Sequence, residues 1–313
     1  MNHQGNGHIS LTRVEIFYLL ILSLRPKQWT KNFLIYFAFF FTINERWNLA
    51  NTYEAISLLG KSTVAFILFT MISSAIYLIN DIFDIDKDIQ HKNKKLRPIA
   101  SGRLPISVAW YTVAVLTILG LIFSFTLEST FGWITLGYMI LMLAYTLVLK
   151  HLVILDVLTI SAGFVIRATA GAAVLQLPIS PWLYTCTGLG ALLIALVKRR
   201  SELILSGNKA VKQRYTLKFY TTNQLDHIIT FISSSTILIY ILYTFTASNL
   251  PQNHAMIITI PFVIYGILRY VYLAEIKNVG ENPEDVLTRD IPLMISIAMW
   301  LFTAGSVLII FRG

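Results

Sequence analysis

Nine apolar stretches, most of them near bilayer-crossing length, decide what this chain can fold into: 32–43, 63–82, 105–127, 131–149, 152–175, 181–197, 227–248, 255–274 and 291–310. A transmembrane helix needs about 20 predominantly apolar residues. The runs are continuous and do not alternate, which argues against barrel strands. Hydrophobic residues make up 56% of the chain and charged residues 13%, whereas a soluble domain carries about 25% charged. That much apolar surface excludes disorder; a soluble helical protein with a large core is the bland alternative. The sequence predicts an all-α integral membrane protein of about nine transmembrane helices, with 1–313 as a single transmembrane domain. Residues 1–24 would be a polar N-terminus and an interfacial helix, and 25–313 the helical bundle. The run 14–24 is too short to cross a bilayer, and Arg25-Pro26-Lys27 follows it instead of a small-residue cleavage site, so it reads as interfacial. The first expected span has the shortest apolar part. The single cysteine, Cys186, sits in an apolar run and reads as a small buried side chain.

Lys and Arg orient the bundle. Arg25, Lys27 and Lys31 precede the first span; six Lys and Arg lie between Lys87 and Arg103, and seven between Lys198 and Lys218. The loops 128–131 and 249–254 carry none. With nine spans and the N-terminus in the cytoplasm, all three clusters fall on the cytoplasmic side. This predicts a multi-pass protein of the inner (cytoplasmic) cell membrane. Topology accounts for much of the net charge of +9, with membrane lipids as partners of the basic loops. No nucleic-acid partner is expected, and homo-oligomerisation is left open.

The stretch from Asn80 to Asp88, Asn-Asp-Ile-Phe-Asp-Ile-Asp-Lys-Asp, begins at the basic end of an apolar span. On a helix, positions four apart share a face, so Asn80, Asp84 and Asp88 form a ladder of oxygen atoms with Asp81 on its edge. Crowded carboxylates raise one another's pKa. A divalent cation removes that penalty, and oxygen ligands beside substrate phosphates suit magnesium. The alternative is a solvated helix end whose acids pair with Lys87, Lys92 and Lys94. The order Asn-Asp-x-x-Asp-x-x-x-Asp followed by a basic loop and Arg97-Pro98-Ile99-Ala100-Ser101-Gly102 is more specific.

That pattern resembles the first signature of the UbiA superfamily of membrane prenyltransferases. Within it the chain looks most like the branch that transfers phosphoribose to a polyprenyl phosphate. Supporting stretches are Arg25-Pro26-Lys27-Gln28-Trp29-Thr30-Lys31-Asn32, Tyr77-Leu78-Ile79-Asn80-Asp81, Leu149-Lys150-His151, Asp156 with 161–168, Lys198-Arg199-Arg200-Ser201-Glu202 and 283–287. The resemblance implies a helical bundle with its active site open to the cytoplasm, and Mg2+ held by Asn80, Asp84 and Asp88, with Asp81 as a further candidate ligand. It also implies phosphoribosyl pyrophosphate as donor and a decaprenyl-type polyprenyl phosphate as acceptor. The product would be a lipid-linked pentose donor for cell-envelope polysaccharide. Lys31 and Asn32 would face the cavity.

The loop 198–226 bears on the donor. Aromatic prenyltransferases of the superfamily carry a second acidic motif there, Asp-x-x-x-Asp. Here the only acids are Glu202 and Asp226, among seven Lys and Arg. Such a loop binds phosphate oxygens directly, with Lys198 and Arg199 as substrate-binding candidates beside Arg97 of the first basic loop. Lipid headgroups are the alternative partners of Lys209, Lys212, Arg214 and Lys218. Glu202 would hold Lys198 or accept a ribose hydroxyl. Asp156 and Arg167 lie eleven positions apart in the fifth span, on one side of the helix. Charges at that depth normally face a protein interior or an aqueous cavity. Asp156 is expected near the ribose hydroxyls or the metal, and Arg167 in a phosphate or structural role. Tyr77 could line the same cavity. Asp84, Asp88 and Asp156 are the catalytic candidates. Two rivals stand beside this reading: an aromatic prenyltransferase of the same fold, and a cation-coupled transporter using those three acids as ion ligands.

Overall fold

In hydrocarbon every backbone N–H and C=O must find its partner inside the protein, and a helix satisfies them within one segment. The computed structural model describes residues 12–91, 93–178, 180–206, 215–276, 286 and 289–312. Among these the secondary structure is helical, apart from one isolated bridge between Ile43 and Trp47. Helix α1 (Arg13–Ser23) starts at a reciprocal cap: Thr12 N donates to Glu15 Oε2 at 2.8 Å and Glu15 N to Thr12 Oγ1 at 3.3 Å. The chain then runs through a 3-10 helix (Pro26–Ile35), α2 (Tyr36–Phe40), α3 (Thr52–Phe83), α4 (Ile85–Ile89), α5 (Ile106–Leu127) and α6 (Ser129–Leu147). It continues with α7 (Leu155–Val174), α8 (Pro181–Ser206), α9 (Thr222–Thr246), α10 (Ile260–Ile276) and α11 (Ile291–Phe311).

Among the described residues, eight helices are long and apolar enough to cross a membrane: α3, α5 to α9, α10 with the turn before it, and α11. The expected first span, 32–43, is not among them. Its apolar part is only 12 residues long, and together with the polar flank of Pro26, Lys27, Gln28 and Lys31 before it the segment folds as the 3-10 helix and the single turn α2. It packs against α7 and α3. Gly171 makes the approach to α7 feasible, since a Cβ there would lie 2.1 Å from the Ile35 carbonyl oxygen. Helix α8 runs beyond the expected limit of 197 to Ser206. The start of the expected loop is therefore helical, and Lys198, Arg199 and Glu202 share one rigid rod. Lys209, Lys212, Arg214, Lys92 and most of 283–287 lie outside the described residues.

Helices α3 and α7 are the central staves: an 18-residue apolar stretch of each is 61% buried, against 17% for that of α5. Their buried faces meet the 3-10 helix, α2 and α6 around Phe69, Phe131 and Tyr138. A second packed cluster joins α7 to α8, α9, α10 and α11 through Val157, Leu196, Leu225, Leu273 and Leu293. These central staves bring the acidic end of α3 opposite the basic end of α8.

Candidate active site

A cavity of about 1720 Å³ runs between the staves. One end is charged, with Asn80, Asp84, Asp88, Arg97, Lys150, Lys198, Arg199 and Glu202 on its wall. The remainder is largely aromatic and aliphatic, with Phe33, Phe37, Phe41, Trp182, Tyr240 and Trp300.

The acidic wall comes from the end of α3. Asp84 sits at the joint between α3 and α4, with φ −101° and ψ 10°. The helical register survives the joint, because Asp84 N donates to Asn80 O at 3.0 Å and Asp88 N to Asp84 O at 2.8 Å. Asn80, Asp84 and Asp88 all reach the cavity, as the four-residue spacing predicts. Lys150 Nζ donates to both oxygens of Asp84, at 2.8 and 2.9 Å. Arg97 binds Asp88 and, at 3.0 Å, Asp81. Asp81 itself is buried, pairs with Arg25 as well, and does not line the cavity. The expectation of Asp81 as a metal ligand is corrected on this geometry: two guanidinium groups take its carboxylate. Arg25 reaches it from a left-handed backbone, φ 55°, with its guanidinium 5.0 Å from the Tyr77 ring centre. Non-glycine residues in that region cost about 1–3 kcal/mol and persist where the surroundings hold them. Tyr77 lines the cavity.

Among the described residues no three Asp, Glu, His or Cys side chains gather as a metal cage. Magnesium beside a phosphate substrate does not need one, since it binds through one or two carboxylates, waters and phosphate oxygens. Two cavity-facing carboxylates and one amide oxygen fit that donor set. Lys150 and Arg97, which hold those carboxylates here, are cations suited to phosphate oxygens.

The basic wall belongs to α8. Lys198, Arg199 and Glu202 line the cavity. The Arg199 side chain is only 1% exposed; it pairs with Glu202 one turn on, and its Nε lies 3.1 Å from Asp156 Oδ2. Glu202 therefore orients Arg199, a partner beyond the Lys198 or ribose hydroxyl that the sequence suggested. Asp156 is fully buried and off the cavity wall, accepting from Thr216 Oγ1 at 3.3 Å and Tyr220 OH at 3.5 Å. Its expected place beside ribose or metal is corrected: Asp156 stands behind Arg199 and positions it. The Tyr220 hydroxyl in turn accepts from Ile154 N at 2.8 Å, where Ile154 enters α7 with φ 69°. Burial pushes the Lys94 ammonium below its ordinary 10.5; Arg97 adds to the shift, while Asp88, Glu202 and Asp84 oppose it.

Arg167 faces the cavity deeper in the bundle. Its three nitrogens donate to Asn32 Oδ1 at 2.8 Å, Gly163 O at 2.7 Å and Tyr138 OH at 2.7 Å. The Tyr138 ring centre lies 4.8 Å from the guanidinium carbon. Asn32 is buried, donates to Thr70 at 2.9 Å and Ser73 at 3.2 Å, and is absent from the cavity wall. Asn32 is thus the bracket of Arg167, a correction to its expected cavity-facing role. Its neighbour Lys31 does line the cavity, 5.9 Å from the Phe164 ring centre. Asp156 and Arg167 share one helix but serve different neighbours.

Sequence reasoning missed Lys150 and Arg25 as site residues. Both lay in the motif stretches, but a cation at a span end looks the same whether it sets topology or faces an acid.

The match to known proteins agrees with this architecture. The model of the UbiA prenyltransferase family matches residues 47–278. The chain belongs to that family. It is a membrane-embedded transferase, since the family's members transfer groups and the long apolar helices make it an integral membrane protein. It is 30% identical over 287 residues to the decaprenyl-phosphate phosphoribosyltransferase of Mycobacterium tuberculosis, covering 92% of this chain and 93% of that one. With the enzyme of the same name from Mycolicibacterium smegmatis the identity is 33% over 296 residues, covering 92% and 91%. In fold it is similar to a UbiA homologue from Archaeoglobus fulgidus bound to GPP and Mg2+, with a TM-score of 0.70 at 19% identity, covering 93% of this chain and 99% of that one.

Proposed function

We propose that the chain transfers 5-phosphoribose from phosphoribosyl pyrophosphate to a polyprenyl phosphate of decaprenyl type and releases pyrophosphate. The observation that carries the reading is the charge of the cavity: ten Lys and Arg face four Asp and Glu on its wall, and the charged end continues into an apolar shaft. A donor with two phosphorylated ends and an acceptor with a lipid phosphate bring several anions together, and fixed cations hold them. The shaft suits the acceptor's hydrocarbon chain. The names of the mycobacterial relatives agree with this substrate pair.

An oxygen of the lipid phosphate attacks C1 of the ribose while the bond from C1 to the pyrophosphate oxygen breaks, inverting C1. The nucleophile is anionic at neutral pH, so no side chain need remove a proton. Lys150, Arg97, Lys198 and Arg199 bind phosphate oxygens and offset the charge that grows on the leaving pyrophosphate. Asp156 and Glu202 hold Arg199 in place, and Asn32 and Tyr138 hold Arg167. Magnesium, held by Asn80, Asp84 and Asp88, would supply Lewis-acid stabilisation of the pyrophosphate. The positive-inside rule puts the basic end, and so the site, on the cytoplasmic side of the inner membrane. The product would be a lipid-linked pentose precursor for envelope polysaccharide.

The test is incubation of purified protein with labelled phosphoribosyl pyrophosphate, magnesium and polyprenyl phosphate. Label should move into the lipid-extractable fraction as the substrates are consumed. Transfer of an isoprenoid group from its diphosphate to an aromatic acceptor, with no lipid-linked ribose, would overturn the reading.

A further inference from the structure

A second, smaller cavity of about 230 Å³ lies among α8, α9, α10 and α11. It is separate from the charged site but shares three wall residues with the main cavity, Gly190, Ile194 and Trp300. Its other walls include Leu193, Val263, Gly266, Ile267, Leu293 and Ile297. Two small hydroxyls in the wall are turned to backbone: Thr236 donates to Ile232 O and Ser296 to Phe262 O, each at 2.7 Å. With Tyr270 as the one further hydroxyl-bearing wall residue, the surface offered to an occupant is mostly carbon. Water needs two to four polar partners to settle in a cavity, and apolar cavities of this kind take hydrocarbon instead.

The partition between the two cavities is thin at one point and rigid at another. A Cβ on Gly190 would meet nothing within 4 Å, so this stretch of α8 leaves open space. Trp300 is fixed: its Nε1 donates to Tyr240 OH at 2.6 Å, and that hydroxyl shares a 2.6 Å hydrogen bond with Thr259. Gly190 lies eight residues before Lys198, roughly 12 Å down the helix axis. A cavity of about 150 Å³ holds a six-carbon ring, so this one holds roughly two five-carbon isoprenoid units by the same scale.

The geometry points to this side cavity as a seat for isoprenoid units of the acceptor tail, entered from the main cavity between Gly190 and Trp300. The inference rests on the acceptor reading above and adds a chain-length determinant to it. A tail held by its phosphate near Lys198 must extend about 12 Å before it meets the opening. A ten-carbon geranyl chain has eight carbons in its main chain and spans roughly 10 Å at the ~1.2 Å per bond of an extended backbone. It stops at the rim, whereas a fifty-carbon decaprenyl chain passes the opening and fills the seat.

Two variants fill the seat without touching the main cavity wall. A Cβ on Gly266 would meet Ser296 Oγ at 3.7 Å and Leu293 Cδ1 at 3.9 Å, ordinary contacts, so the rest of a Gly266→Leu side chain extends into the space. Val263→Phe fills it from one turn away. Full-length protein in detergent without added bilayer lipid is assayed with saturating phosphoribosyl pyrophosphate and magnesium, against decaprenyl phosphate and geranyl phosphate. Both variants should raise KM for decaprenyl phosphate by about tenfold, the scale of losing one or a few apolar contacts in a pocket. Turnover of geranyl phosphate, which also reports folding, should stay within about twofold. An unchanged preference between the two acceptors, or an equal loss on both, would overturn the seat and leave the space to a bilayer acyl chain or to packing alone. Wild-type protein that transfers to neither acceptor would remove the acceptor reading itself, a result distinct from either.

Discussion

Replacing Asp156 with Asn tests whether this carboxylate acts on substrate or through Arg199. The Asp156 Oδ2 and Arg199 Nε atoms are 3.1 Å apart, and both side chains are almost wholly buried. At an effective dielectric of about 20, unit charges at that separation attract by about 5 kcal/mol. Losing one partner of a buried pair typically costs about 3–5 kcal/mol, because the other charge is stranded. Glu202 remains on the same guanidinium, so the cost should fall at about 3 kcal/mol, the low end of that range. The amide can still accept from Thr216 and Tyr220, which keeps the local packing. Thermal unfolding in detergent and steady-state turnover should be measured for Asp156→Asn, Arg199→Met and the double variant. If Asp156 works through Arg199, the two losses are strongly non-additive, with a coupling of about 2 kcal/mol. Once Arg199 is gone, Asp156→Asn should change kcat/KM little further. Wild-type stability in Asp156→Asn, together with lost turnover that multiplies with the Arg199→Met loss, would show direct contact with substrate and refute the positioning role.

Three further outcomes follow from the site. Asp84→Asn or Asp88→Asn should abolish turnover while the protein still folds, since an amide cannot replace an anionic magnesium ligand; chelation of magnesium in the wild type should do the same, and near-normal activity in either variant would sink the single-metal reading. Lys198→Ala and Lys150→Met should each lower kcat/KM by about two orders of magnitude, equivalent to about 2.7 kcal/mol of lost phosphate contact; small losses at both would return these lysines to topology. The pKa of Lys94 is depressed in the folded chain, so between that value and the ordinary 10.5 the unfolded chain holds a proton that the folded chain lacks. Stability should therefore gain from this residue as pH rises through the window, and unfolding against pH should lose that slope in Lys94→Met.

Periodicity and composition determined the membrane class, because a run of about 20 apolar residues has few alternatives to a bilayer helix. They also placed the ladder of Asn80, Asp84 and Asp88 on one face, since α-helical spacing survives the joint at Asp84. What spacing could not decide was which charge meets which across the bundle. Asp81 differs from Asp84 by three positions, yet Arg25 and Arg97 claim the one and Lys150 the other. Asp156 and Arg167 lie on one helix, but only Arg167 reaches the cavity. Asn32 follows Lys31 in sequence, and the two turn to opposite sides of the wall because the segment is a 3-10 helix pressed against α7 through Gly171. Helix periodicity is a local property carried by each segment alone. Burial and pairing depend on partners far off in sequence, 135 positions between Asn32 and Arg167 and 267 between Glu45 and Arg312, and only the packed bundle brings those partners together.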